Sequence, residues 1–317
     1  MRCCTHISIG PGSFYEVVKL LPLLSADSAT APRFHIVAPS LPNFGFSEGV
    51  SKRGFALAQY AETCQTLMAR LGYTEYVTQG GDWGFYITRA LAGLYPANCK
   101  ATHINTIRAV KPQWCQNPMA ALIHTFTPYT VQEKQNVNRG SWFAKEGRGY
   151  QALQATKPQT LSYALEDSPV ALLGWIYEKL HDWSDLYPWT DPEILEWVSI
   201  YYFSRAGAGK AHQIYYEVVH APNSKFIHSD VLFGQCDAMR YIGNGVKLGL
   251  MYNPMELNVP PKAWCRLLGD VVYESENQKG GHFAAYEIPE AVTRDLQCMF
   301  GKGGGAFGAV NNRNGYD

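Results

Sequence analysis

The stretch Val77–Ile87, VTQGGDWGFYI, passes from a β-branched run through paired glycines to an aspartate, and then into residues that favour a helix. Small residues at Gly80, Gly81 and Gly84 around Asp82 match the spacing of the sharp strand-turn-helix elbow G-x-S-x-G, with a carboxylate in the serine position. Such a turn holds its central side chain in a strained conformation at the carboxyl edge of a sheet, where a helix N-terminus favours an anion. Taken alone, GGDWG reads equally well as an aspartate that merely caps the helix.

The surroundings of the turn build an alternation. SFYEVVKLLPLL carries Ser13 and Glu16 at capping-box spacing and apolar residues at helical spacing, so a helix is expected there. RFHIVAPSLP reads as a short strand, FALAQYAETCQTLMARLGY as a helix closed by Gly72, EYVTQG as a strand, GFYITRALAGLYP as a helix and CKATHINTI as a strand. The strands are apolar runs, which predicts a mostly parallel α/β sheet covered on both faces. From Lys111 to Ala221 the chain turns aromatic and helical, as an inserted cap would be. VKLGLMYN and DVVYES then resume strand character before a closing helix, IPEAVTRDLQCMF. The expected organisation is core over 1–110, helical cap over 111–221, core again over 222–300 and a disordered Gly- and Asn-rich tail over 301–317.

Composition narrows the classes of function. With 46% hydrophobic residues in 317 and no net formal charge, the chain can bury a large core and has no electrostatic footprint for nucleic acid or an anionic membrane. No apolar run approaches a membrane span and the start lacks the form of a secretion signal, which predicts a cytoplasmic protein. The eight cysteines lack C-x-x-C spacing and read as buried free thiols. The other histidines lack metal-ligand spacing and read as structural or surface residues.

Two later segments complete a constellation. GGHFAAYEIPE sets His282 after a glycine pair at a strand end, and YNPMELNVPPKAW sets Glu256 in a loop after the preceding strand. Asp82, Glu256 and His282 thus follow the nucleophile-acid-base order of the α/β-hydrolase triad. Together with GPGSFYEVVKLLPLL, FHIVAPSLPNFGFSEG, QGGDWG, TKPQTLSYALEDSPVALLGWIYEK and PPKAW, these phrases make the chain resemble epoxide hydrolases of the microsomal and fungal soluble type, from Gly10 to about Phe300.

The resemblance implies an α/β-hydrolase fold with a helical cap, and an aspartyl ester route that needs no metal or cofactor and turns a small apolar epoxide and water into a vicinal diol. It assigns Asp82 as nucleophile, His282 as base, Glu256 as its orienting acid, and the cap tyrosines Tyr150 and Tyr215 as acids for the opening ring; Tyr216 is the neighbour most easily mistaken for Tyr215. A carboxylate suits this chemistry because it attacks a saturated carbon in line and leaves an ester. The oxyanion of ester hydrolysis would meet the backbone N–H of Trp83 and a second from Gly10. The family's His-Gly-Trp-Pro-Gly-Ser falls on Ser8 to Ser13, and its first three residues are not kept.

Members of the family also begin with a meander and two strands that precede RCCTHISIG. Their absence would leave the FHIVAP strand as a bare edge, open to pairing with a second copy as a homodimer. Two other readings stand beside the first. A haloalkane dehalogenase uses the same elbow aspartate, with Trp83 on the halide, although the tyrosine contexts and GGHFAAYEIPE speak against it. A weakly catalytic relative that binds or cyclises a terpenoid or polyketide would fit the altered oxyanion loop and the missing strands, and the fungal-type phrasing SLPNFGFSEG points, by family analogy, to detoxification or secondary metabolism.

Overall fold

The computed structural model describes residues 2–7, 12–115, 117–220, 235–311 and 313–316. Six strands form one sheet in the order β2-β1-β3-β4-β5-β6, every neighbouring pair parallel: β1 (Arg2–Ile7), β2 (Phe34–Val37), β3 (Tyr76–Gly80), β4 (Cys99–Ile104), β5 (Ile242–Tyr252) and β6 (Gly269–Glu276). β2 forms one edge of this sheet. Helices α1 (Leu20–Ser25), α2 (Leu57–Arg70) and α3 (Trp83–Leu94) connect the first four strands. Gly72, at φ +84°, takes the left-handed conformation that ends α2.

Successive strand residues point to opposite faces, and β3 shows what each face meets. Tyr76 packs with Tyr60, Ile87 and Leu91 from α2 and α3, whereas the adjacent Val77 packs with residues of the closing helix, Val292, Leu296 and Phe300. All five residues of β3 are buried, which accounts for its lack of polar alternation.

Between β4 and β5 the chain leaves the sheet and forms a helical layer: α4 (Pro118–Phe126), α5 (Val131–Trp142), α6 (Gly149–Thr156), α7 (Pro158–Asp167), α8 (Pro169–Trp183), α9 (Asp191–Tyr202) and α10 (Gln213–His220). A single wide turn over Phe143–Gly147 follows α5 and turns Phe143 inward. Short helices α11 (Gln235–Ala238), α12 (Lys262–Cys265) and α13 (Ala284–Glu287) and the closing α14 (Pro289–Phe300) complete the described elements. Among the described residues no helix is long and apolar enough to cross a membrane.

Two expectations are corrected. The helix read over SFYEVVKLLPLL is broken into a 3-10 turn at Phe14–Val17 and α1. Pro22 lacks an N–H and its ring would collide with the carbonyl four residues earlier, so one straight helix cannot run through both halves. The Gly- and Asn-rich end, read as disordered, instead packs as a series of turns. Ala306 and Val310 are buried, Ala306 N–H donates to the Met299 carbonyl at 3.0 Å, and Arg33 N–H donates to the Gly315 carbonyl at 2.7 Å. Composition hid this because a few small apolar residues suffice to fill a shallow seat beside α14.

Candidate active site

Three side chains meet above the carboxyl ends of three parallel strands, where an α/β sheet places its ligands. Asp82 lies just past β3 and caps α3, Glu256 lies in the turn after β5, and His282 lies in the loop after β6. Asp82 has φ +48° and ψ −121°, a conformation that a residue with a side chain rarely adopts. What compels it is close packing on both sides. A Cβ on Gly80 would sit 2.6 Å from the Gly84 carbonyl oxygen, so the strand and helix meet at a distance that only glycine tolerates.

His282 bridges the two carboxylates. Its Nε2 is 3.1 Å from Asp82 Oδ2 and its Nδ1 is 2.8 Å from Glu256 Oε1. Burial of this imidazole disfavours its charge, but the adjacent Glu256 carboxylate and the contact with Asp82 outweigh that effect and raise its pKa to about 10. Burial also opposes charge on Glu256. There His282, Arg108 and the Thr106 hydroxyl prevail and lower the pKa to about 2. Thr106 Oγ1 donates to Glu256 Oε2 at 2.6 Å and the Leu257 N–H donates to Oε1 at 2.7 Å, so the carboxylate is fixed from two sides.

The Trp83 N–H donates to Asp82 Oδ1 at 2.7 Å. Asp82 thus presents two unlike oxygens: Oδ1 is held by the helix end and Oδ2 faces the imidazole. The second oxyanion donor expected from the sequence, Gly10, lies outside the described residues.

From the cap, Tyr150 on α6 and Tyr215 on α10 face the same space, their ring centroids 6.0 Å apart and nearly perpendicular. Tyr215 also stands edge-on to Trp83 at 4.9 Å. Burial, followed by the nearby Asp82 charge, raises the Tyr150 hydroxyl above its ordinary range. Burial, followed by the neighbouring Tyr150 and the Asp82 charge, does the same for Tyr215. Both phenols therefore hold their protons at neutral pH and can donate. Tyr216 is turned outward and stacks on His220 at 4.0 Å.

Residues 10–185 match the alpha/beta hydrolase fold family. The Aspergillus niger epoxide hydrolase structure is 30% identical, with a TM-score of 0.76, over 93% of this chain and 70% of that one. The chain belongs to the epoxide hydrolase family of α/β-hydrolases. The juvenile hormone epoxide hydrolase of the silkworm Bombyx mori is 28% identical with a TM-score of 0.79, again over 93% and 70%. A putative epoxide hydrolase of Stigmatella aurantiaca is 35% identical over 92% of this chain and 62% of its own length. This epoxide hydrolase family member thus spans about three fifths of the length of that curated relative.

Several residues around the site were not singled out from the sequence. The Trp183 carbonyl, at the end of α8, accepts the His282 N–H at 2.8 Å, tying the cap to the histidine loop. Buried Glu287 accepts the N–H groups of Asp185, Gly281 and Phe283 at 2.7 to 3.1 Å and so clamps the loop on either side of His282. Its burial, only partly offset by those donors, raises its pKa to about 7. Glu287 falls inside GGHFAAYEIPE, but a glutamate five residues past a histidine carries no spacing signal of its own. Thr106 and the arginines Arg108 and Arg148 gave no motif at all. The cavity over Asp82, about 300 Å³, is lined by both arginines and Asn258 as well as by Phe143 and the two tyrosines, so its wall is mixed rather than apolar.

Proposed function

We propose that this chain hydrolyses an epoxide to a vicinal diol through an ester on Asp82. The observation that carries this reading is the imidazole of His282 between Asp82 and Glu256, beneath two protonated phenols. In the first step Oδ2 of Asp82 attacks a ring carbon from the side opposite the ring oxygen. The C–O bond breaks, and Tyr150 and Tyr215 stabilise the alkoxide and supply its proton. In the second step His282 takes a proton from water, whose oxygen attacks the Asp82 carbonyl carbon while negative charge collects on Oδ1 at the Trp83 N–H. The tetrahedral adduct then collapses and releases the oxygen that was Oδ2 as a hydroxyl of the diol.

That sequence of bonds has an isotopic signature. In heavy-oxygen water, the diol from a single turnover at excess enzyme is expected to be unlabelled, because its new oxygen comes from Asp82. Over many turnovers both the diol and the peptide containing Asp82 acquire label. Label in the first diol, with none in Asp82, would mean that water attacks the ring directly and would reject the ester.

The pH dependence follows from the same arrangement. Ester formation removes the Asp82 charge, one of the two that raise His282, so its pKa in the ester falls below the value of about 10 in the free chain. Water attack requires the neutral imidazole. Below that pKa, ester breakdown is expected to quicken roughly tenfold per pH unit, then level off once the imidazolium has lost its proton. Rapid quenching and mass measurement of the Asp82 peptide across pH 6 to 10 tests this; an ester lifetime independent of pH would remove His282 from the base role.

A haloalkane dehalogenase would use the same aspartate, but it has no need of two phenols to protonate a leaving oxygen. The Tyr150 and Tyr215 pair therefore favours the epoxide.

A further inference from the structure

Within the epoxide reading, on which this inference rests, the cavity wall bears on which epoxide is taken. Arg108 lies two residues after Thr106 in the loop beyond β4 and is part-buried on the cavity wall that Tyr86 also lines, where the Glu256 and Asp82 charges act on it. Arg148 precedes α6 by one residue and is exposed at the mouth; its Nε donates to Gln151 Oε1 at 3.0 Å. Both line the cavity that contains Asp82. Neither is in an ion pair with a described residue. The remaining nearby guanidinium, Arg139, is directed elsewhere and donates to the carbonyls of Met255 and Glu256.

An apolar substrate gains nothing from two guanidinium groups in the wall, and each displaces apolar lining that would have held it. The balance of charge points the same way. The free chain sets Asp82 and Glu256 against protonated His282, Arg108 and Arg148. Those groups already leave one positive charge in excess; ester formation removes the Asp82 charge, and once His282 has lost its proton for water attack, Glu256 alone faces the two guanidinium groups and one positive charge remains. An anionic group on the bound substrate restores the balance at that step. Guanidinium donors form a fork that matches the two oxygens of a carboxylate.

We propose that Arg108 and Arg148 form an anion subsite, and that the epoxide carries a carboxylate on the substituent that extends from Asp82 toward the cavity mouth.

The test compares an aryl epoxide bearing a para carboxylate with its methyl ester, so that body and ring are held constant. The wild-type chain is expected to favour the acid by roughly tenfold or more in kcat/KM, with the preference shrinking as salt is raised. In R108Q and in R148Q, the acid-to-ester ratio is expected to fall by about tenfold. Because the ratio is taken within one preparation, a partly misfolded variant does not distort it. An unchanged ratio in both variants, or a wild type indifferent to the charge, overturns the subsite. A loss shared equally by acid and ester in R108Q would instead make Arg108 a support for Glu256.

The same acid and ester pair with a cyclopropane in place of the oxirane separates this inference from the reaction itself. Tighter calorimetric binding of the acid, lost in the arginine variants, supports the subsite even if no diol ever forms. Equal binding of acid and ester overturns it, whatever the chain does to epoxides.

Discussion

Replacing His282 with glutamine is expected to leave a chain that consumes about one epoxide per molecule and then stops. In the proposed route, ring opening needs the Asp82 carboxylate and the two phenols, and the amide removes none of them. Ester hydrolysis needs a base at the position of Nε2, 3.1 Å from Asp82 Oδ2, and glutamine cannot take a proton there. General-base catalysis of this kind typically contributes about 10²- to 10⁴-fold, so steady turnover should fall by that factor while the first turnover survives. Mass spectrometry of the Asp82 peptide would then find the whole substrate added to it. A variant that loses the first turnover together with the steady rate would show that the imidazolium is needed to open the ring, and that the two steps are not divided between Asp82 and His282 as proposed. Glu256→Gln should be milder, because His282 stays in place and loses only the charge that lifts its basicity.

How far the sequence could lead here depended on the range of the interaction that decides each feature. The elbow was legible because its physics is local: Gly80, Asp82 and Gly84 are forced on one another within five residues. The parallel sheet was legible for a similar reason, since a strand buried on both faces, such as Tyr76–Gly80, has to be an apolar run. The break at Pro22 went unseen because the apolar spacing on either side is helical, and periodicity does not register a single missing donor. Arg108 and Arg148 were invisible for a different reason. One follows a strand, the other precedes a cap helix, and they share a cavity only because the cap folds back over the sheet. Glu287 is a third case, a carboxylate whose partners are backbone N–H groups, and no side-chain pattern reports such bonds.

Removing Asp82, the proposed nucleophile, should cost more than removing His282, the proposed base, and the choice of replacement exposes what the turn itself costs. Asp82→Ala and Asp82→Gly both delete the carboxylate that, among the described residues, lines the cavity with the two phenols, so the proposed covalent route disappears. An external water has to replace a group already held in place, and the expected loss is on the order of 10⁴-fold or more. The two variants should nevertheless differ in stability. Both lose the contact with His282 and the cap on the Trp83 N–H, so those losses cancel in the comparison. What remains is the backbone at φ +48°, ψ −121°, which an alanine must endure and a glycine adopts freely. Strain of this kind amounts to about 1 to 3 kcal/mol, against roughly 0.5 to 1 kcal/mol for the greater freedom of glycine in the unfolded chain. The glycine variant should therefore unfold at higher urea than the alanine variant, by about 1 kcal/mol, with both inactive. If alanine proves the more stable of the two, the turn is not strained, and the carboxylate reaches its position above the sheet without the backbone paying for it.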